Sequence, residues 1–215
     1  FVAFGKVLPG VKLATVFFGA SFFVMLYWTL RRLSGSAPLF YTFLLMVTSS
    51  FIFRLGLVKA NGVSLIVFLG ILIALHERRW FLLFVLNAVY VWLYGGWLLS
   101  WVALAAFMCA DFIFAATQKK QTSFIRRLFS NIFDRKKVSQ RSLPIFATIG
   151  GSALGLILNP YWPQNIQFYW QQVWQIAIVN KGNVIGVGGE WSALTAYEFA
   201  TFVGYILIFF GMALA

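Results

Sequence analysis

Arg54 and Lys59, in the segment FRLGLVKANG, are cations set between two apolar runs. Arginine offers a planar fork of donors and lysine a point charge, so together they can hold a phosphate or pyrophosphate. A five-residue spacing does not align two side chains on one straight helix. Gly56 and the Asn61-Gly62 turn signal predict a broken backbone here instead. The plainer alternative is that both residues snorkel to an interface as helix-end anchors.

The second concentration of chemistry is Asn159–Trp191, NPYWPQNIQFYWQQVWQIAIVNKGNVIGVGGEW, whose only charges are Lys181 and Glu190. A connection this long is usually functional or disordered, and its wealth of aromatics argues against disorder. Ile166–Val179 reads as an uncharged amphipathic helix. Gln171 and Gln175 share one face, and Val173 and Ile176 lie away from it. Pro160 and Pro163 set its approach. Such a helix is either a lid over a site or a partly buried structural element.

Gly182, Gly186, Gly188 and Gly189 lack the spacing of a phosphate-binding fingerprint. Glu190 is a weak candidate for a general base or metal ligand, against the alternative of a solvated acid pairing with Lys59 or Lys181. Glu198 and Asp111 fall inside apolar runs, where an unpaired charge costs a few kcal/mol, so each needs a partner or water. Glu198 is placed to meet Arg54, and Asp111 to reach towards a basic loop. The single histidine, His76, and single cysteine, Cys109, exclude a disulfide and a multi-histidine metal site within the chain.

The elements that must position these residues follow from composition. The chain is 61% hydrophobic, 20% aromatic and only 10% charged, against about 25% charge in a soluble domain. This predicts an all-α, integral membrane protein, because backbone inside lipid must bond within its own segment. Seven apolar runs approach the ~20 residues that cross a bilayer. They are Val11–Leu30, Pro38–Phe53, Val63–Leu75, Trp80–Tyr94, Trp97–Thr117, Leu143–Asn159 and Ala193–Leu214.

Alternating these spans puts Arg31, Arg32, Arg78, Arg79, Lys119, Lys120, Arg126, Arg127, Arg135, Lys136, Lys137 and Arg141 on one side. The positive-inside rule makes that side cytoplasmic. The net charge of +12 is therefore a topology signal rather than a nucleic-acid surface. Residues 118–142 form a basic cytoplasmic loop or an amphipathic helix on anionic headgroups. Residues 159–192 lie outside, with Arg54 and Lys59. Trp92, Trp97, Trp101, Trp162, Trp170, Trp174 and Trp191 share that face, leaving Trp28 and Trp80 inside. An aromatic belt alone decorates both interfaces, so the surplus suits stacking on sugars, packing on a polyprenyl chain, or helix packing. With no long internal repeat, one transmembrane domain spanning 1–215 is expected.

The order of features in YWTLRRLSGSAPLFYTFLLMVTSSFIFRLGLVKANGVSLIVFLGILIALHERRW resembles the GT-C class of polytopic glycosyltransferases. It comprises a cytoplasmic double arginine, a span, a basic external break, and a span closing on a second basic pair. The outer NPYWPQNIQFYW is similar to members of that class. The resemblance is one of pattern over most of the chain. It implies sugar transfer between a polyprenyl-phosphate lipid and an acceptor on the external face of a bacterial or archaeal plasma membrane. It implies Arg54 and Lys59 as lipid-phosphate contacts, and Tyr161, Trp162, Asn165, Trp191 and Glu198 as walls of the substrate cavity. The class carries its catalytic carboxylate in a first external loop, yet no acidic residue precedes Glu77. That loop, and any divalent-metal ligands it supplies, is then expected upstream of Phe1, leaving this chain catalytically incomplete. The alternatives are a transporter or flippase for a lipid-linked or anionic solute, and a non-catalytic subunit that docks a partner.

Overall fold

A computed structural model describes residues 7–33, 37–57, 60–93, 95–117 and 135–179. All regular structure among them is helical: α1 (Val7–Leu33), α2 (Pro38–Val47), α3 (Ser49–Gly56), α4 (Asn61–His76), α5 (Trp80–Leu93), α6 (Leu99–Thr117), α7 (Arg135–Ile157), α8 (Gln164–Trp170) and a π-helix (Gln171–Val179). The expected last span, Ala193–Leu214, lies outside the described residues.

One helix, Pro9–Leu33, is long and apolar enough to cross a membrane by itself. The other apolar helices, Pro38–Val47, Asn61–His76, Trp80–Leu93, Leu99–Phe114 and Ser142–Ile157, are 10–17 residues long. Seven full-length spans are therefore not what the described residues display. The expected span Pro38–Phe53 is in fact two helices. Thr48 adopts an extended backbone, ending α2 and capping α3. Three hydroxyl residues in a row, Thr48-Ser49-Ser50, are weak helix formers, and the Thr48 hydroxyl bonds back to the Leu44 carbonyl rather than to the first turn of α3. Helix α7 differs in the other direction. It begins at Arg135, inside the stretch expected to be a cytoplasmic loop, because lysine and arginine are good helix formers whatever their hydropathy.

The chain groups into two compact units: Phe1–Val63 with Pro163–Ala215, and Ser64–Trp162. In the first, α3 lies on α1 through Phe51, which meets the rings of Phe22 and Phe23 at 5.5 and 6.1 Å, and through buried Leu55 against Gly19. The start of α4 packs closely on α1 at Gly62, where an added Cβ would lie 3.2 Å from the Phe18 backbone, tighter than ordinary van der Waals contact.

In the second unit α5 and α7 form a close seam. A side chain at Gly151 would run into the carbonyl oxygen of Phe84, and one at Gly155 would meet that of Ala88 at 2.5 Å. The two glycines sit four apart in GGSALG, the spacing that lets two helix backbones touch. Gly150 and Gly151 face Phe84, while Gly155 faces Ala88 and Val91, so α5 and α7 run parallel. Helix α4 crosses α5 in the opposite sense, Phe68 meeting Tyr90 and Gly70 meeting Leu86.

Polar side chains share the interior with a larger set of apolar ones, and many apolar side chains lie on the surface. Thr29, Thr42, Ser64, Asn87, Ser100, Thr148 and Ser152 are buried, whereas Val16, Phe17, Val24, Phe43, Phe81, Val102 and Phe146 are exposed. The hydroxyls of Thr15, Thr29, Thr42 and Thr48 each donate to the carbonyl four residues earlier, so these groups are satisfied inside their own helices.

Candidate functional site

The break expected around Arg54 is present. Helix α3 stops at Gly56 and α4 starts at Asn61. The break is fastened by Asn61, whose Nδ2 donates to the Arg54 carbonyl at 2.9 Å. Because Phe51 and Leu55 turn inwards to α1, the Arg54 side chain is left exposed beside Ile52 and Phe53, both exposed as well. The result is an exposed cation at the end of α3, with its backbone carbonyl tied to Asn61 and no ion pair to another described residue. Lys59, Glu190, Trp191 and Glu198 lie outside the described residues, and with them the expected pairings of Glu198 with Arg54 and of Glu190 with Lys59 or Lys181.

Tyr161 and Trp162 belong to the Ser64–Trp162 unit, where Asn159 builds the turn that presents them. Its Oδ1 accepts from the Tyr161 N–H at 3.0 Å and its carbonyl from the Trp162 N–H at 2.9 Å. Both rings are exposed, Tyr161 the more so at 75%. Asn165 belongs to the other unit and is buried in α8, not presented on a surface. A helix is present where one was expected, running from Gln164, but its second half is wound as a π-helix. Such segments are rare and recur at functional sites. Trp170 and Trp174 stack at 5.5 Å with 18° between their planes. Burial raises the Tyr169 phenol above its ordinary value, keeping it a neutral hydrogen-bonding group.

Asp111 has a definite partner: it accepts from Arg78 Nη2 at 2.6 Å, within the Ser64–Trp162 unit. Glu77 pairs with Arg79 at 2.9 Å. Both described carboxylates are thus held by arginines, and neither stands as a ready general base. Arg78 occupies a demanding place. The Arg79 N–H bonds to the Ala74 carbonyl and the Arg78 N–H to that of Leu75, a Schellman ending to α4 that puts Arg78 at φ 56°. Glycine normally fills that position, and a side chain there costs roughly 1–2 kcal/mol. The αL conformation aims Arg78 at Asp111. We expect Arg78→Ala to lose the ion pair and keep the strain, while Arg78→Gly loses the pair and sheds the strain. Thermal unfolding should therefore find Arg78→Gly about 1 kcal/mol more stable than Arg78→Ala; equal values would mean the turn is not wound this way.

Sequence reasoning missed the α5–α7 seam, although its signal, Gly151 and Gly155 four apart, is in plain view. It also treated the outer tryptophans mainly as a surface, whereas two of them work as struts. Trp92 Nε1 donates to the Gly155 carbonyl at 2.7 Å and Trp101 Nε1 to Ser152 Oγ at 3.2 Å. Between the same helices Asn87, only 1% exposed, donates to the Leu83 carbonyl at 2.8 Å but leaves Oδ1 unpartnered. The buried Thr148 hydroxyl is unpartnered too. Among the described residues no group of histidine, cysteine or carboxylate side chains could hold a metal ion. No family model, curated protein or solved structure matches the chain.

Proposed function

We propose that the chain is a multi-pass membrane protein that takes part in sugar transfer between a polyprenyl-phosphate lipid and an acceptor on the external face. The observation that carries the reading is the exposed Arg54 side chain at the end of α3, whose backbone carbonyl is tied to Asn61 across the α3–α4 break. A cation so placed can receive the phosphate of a lipid. The resemblance to GT-C glycosyltransferases supplies the reaction; the cation stabilises the leaving phosphate, and a base from residues elsewhere activates the acceptor.

Membrane spanning is supported by the many large apolar side chains left exposed and by the helix directions. Alternating spans require α5 and α7 to cross the same way, and they run parallel. The same alternation puts Arg78 and Asp111 at one interface and Trp101 near the other, in keeping with the Arg78–Asp111 and Trp101–Ser152 bonds. The helices shorter than a bilayer are then accommodated by packing against neighbours and by local thinning. A transporter reading is weaker, because Asp111, the charge that an ion path would use, is taken by Arg78.

Two experiments test the proposal. With Cys109 replaced by serine, a cysteine at Tyr161 should react with an impermeant maleimide on intact cells. One at Arg79 should react only after permeabilisation; both reacting alike would end the sidedness argument. Purified protein should retain a short-chain polyprenyl phosphate in preference to the uncharged polyprenol, and Arg54→Ala should remove the preference.

A further inference from the structure

Helix α8 and the π-helix that continues it carry two rows of side chains with different chemistry. Trp170 and Trp174 form the first, stacked at 5.5 Å with 18° between their planes, and they remain 56% and 47% exposed. The winding changes between them: Trp170 closes α8 and Trp174 lies in the π-helix, a kind of segment that recurs at functional sites. Gln171 and Gln175 form the second row, each following one tryptophan by one residue, and Gln167 lies a turn before Gln171. All three glutamines are exposed. No charged residue occurs from 159 to 180.

This chemistry selects a neutral ligand that is apolar on one face and polar at its edge. The face of an indole is electron-rich and attracts the polarised C–H groups of a sugar ring. A glutamine amide offers both donors and an acceptor, which is what a rim of hydroxyl groups needs. An ionic ligand would find no counter-charge in this stretch. Rings that only anchored the helix among headgroups would gain by lying apart, because stacking hides part of their apolar surface from the bilayer. We propose that Trp170 and Trp174, with Gln167, Gln171 and Gln175, form a platform for a neutral pyranose ring. The choice of a sugar rests on the sugar-transfer reading, and the platform belongs to the same compact unit as Arg54.

The test is saturation-transfer NMR on the whole protein in a sugar-free detergent, with the methyl glycosides of glucose, galactose, mannose and N-acetylglucosamine as probes. At least one glycoside should receive saturation, most strongly in the protons of one ring face, and cyclohexanol should receive little. Trp170→Ala and Trp174→Ala should each weaken that glycoside about fivefold, the effect of one aromatic contact. Gln171→Ala and Gln175→Ala, at exposed positions that leave the fold intact, should each weaken it by about as much. Trp28→Ala, at an exposed tryptophan of α1, should bind as the parent does. Saturation of no glycoside, equal binding of cyclohexanol, or equal loss in Trp28→Ala would overturn the platform. In the first case, quenching of the tryptophans by brominated lipid would mark the helix as a bilayer anchor. Failure of the platform with the polyprenyl-phosphate preference intact leaves the transfer reading standing. Failure of that preference with the glycoside still bound leaves the platform standing.

Discussion

Gly151→Ala should destabilise the protein severely, while Gly150→Ala, one residue earlier, should be nearly neutral. The two differ in what a new methyl group meets. At Gly151 it strikes the Phe84 carbonyl oxygen and comes within 3.0 Å of the Asn87 Cβ. Backbone cannot step aside, so α5 and α7 must part along their length. That separation exposes Asn87, Thr148 and Ser152 to altered surroundings and stretches the Trp92–Gly155 bond. Overpacking of this kind costs about 1–3 kcal/mol and sometimes more. At Gly150 the methyl meets the Phe84 ring edge at 3.2 Å, which a small rotation relieves. Alanine also favours a helix over glycine by about 1 kcal/mol, offsetting the contact. A 3 kcal/mol loss lowers a melting temperature by roughly 6–12 °C in a chain of this size. Gly155→Ala should resemble Gly151→Ala, since its methyl faces the Ala88 carbonyl at 2.5 Å. Tryptophan fluorescence during thermal unfolding in detergent is the readout. Equal shifts at Gly150 and Gly151 would refute the parallel seam, and with it the support it gives to the topology.

That seam marks the limit of what the residues reveal unaided. Hydropathy located the helices well: Trp80–Tyr94 was expected and Trp80–Leu93 is found, Val63–Leu75 was expected and Asn61–His76 is found. Hydropathy is an average over a window, so it passed over Thr48, whose backbone divides one expected span into two. It also stopped at charges, and so missed that α7 continues back to Arg135. A GxxxG spacing shows that a helix has a smooth side but not which neighbour covers it; the partner residues, Phe84 to Val91, are ordinary in sequence. Arg78 illustrates a different gap. No glycine announces the end of α4, and the turn is held instead by backbone bonds and an ion pair to a residue far away in the chain. For the candidate site, the break after Arg54 was legible because Gly56 and Asn61-Gly62 write it in turn chemistry. The burial of Asn165 was not, since an amide in an aromatic segment reads equally as surface or core.

Arg54→Ala should weaken binding of polyprenyl phosphate by tenfold or more without changing the fold. A hydrogen bond to a charged group contributes about 1.5–3 kcal/mol, which is roughly 10- to 150-fold in affinity. The side chain is exposed, and the bond that fastens the break uses the Arg54 carbonyl rather than its guanidinium. Truncation therefore removes the cation and leaves the Asn61 clamp in place, so melting temperature should be unchanged. Arg54→Lys separates two explanations. A bidentate contact to phosphate requires the planar fork, and lysine would restore only part of the affinity. A general attraction at the interface requires charge alone, and lysine would restore all of it. Asn61→Ala gives the complementary result: the guanidinium stays, but the backbone that aims it is released, so affinity should fall by less than in Arg54→Ala and the protein should also lose about 1 kcal/mol of stability. The uncharged polyprenol should bind all four proteins alike. If Arg54→Ala leaves the preference for the phosphate intact, Arg54 is an interfacial anchor and the lipid phosphate is held elsewhere.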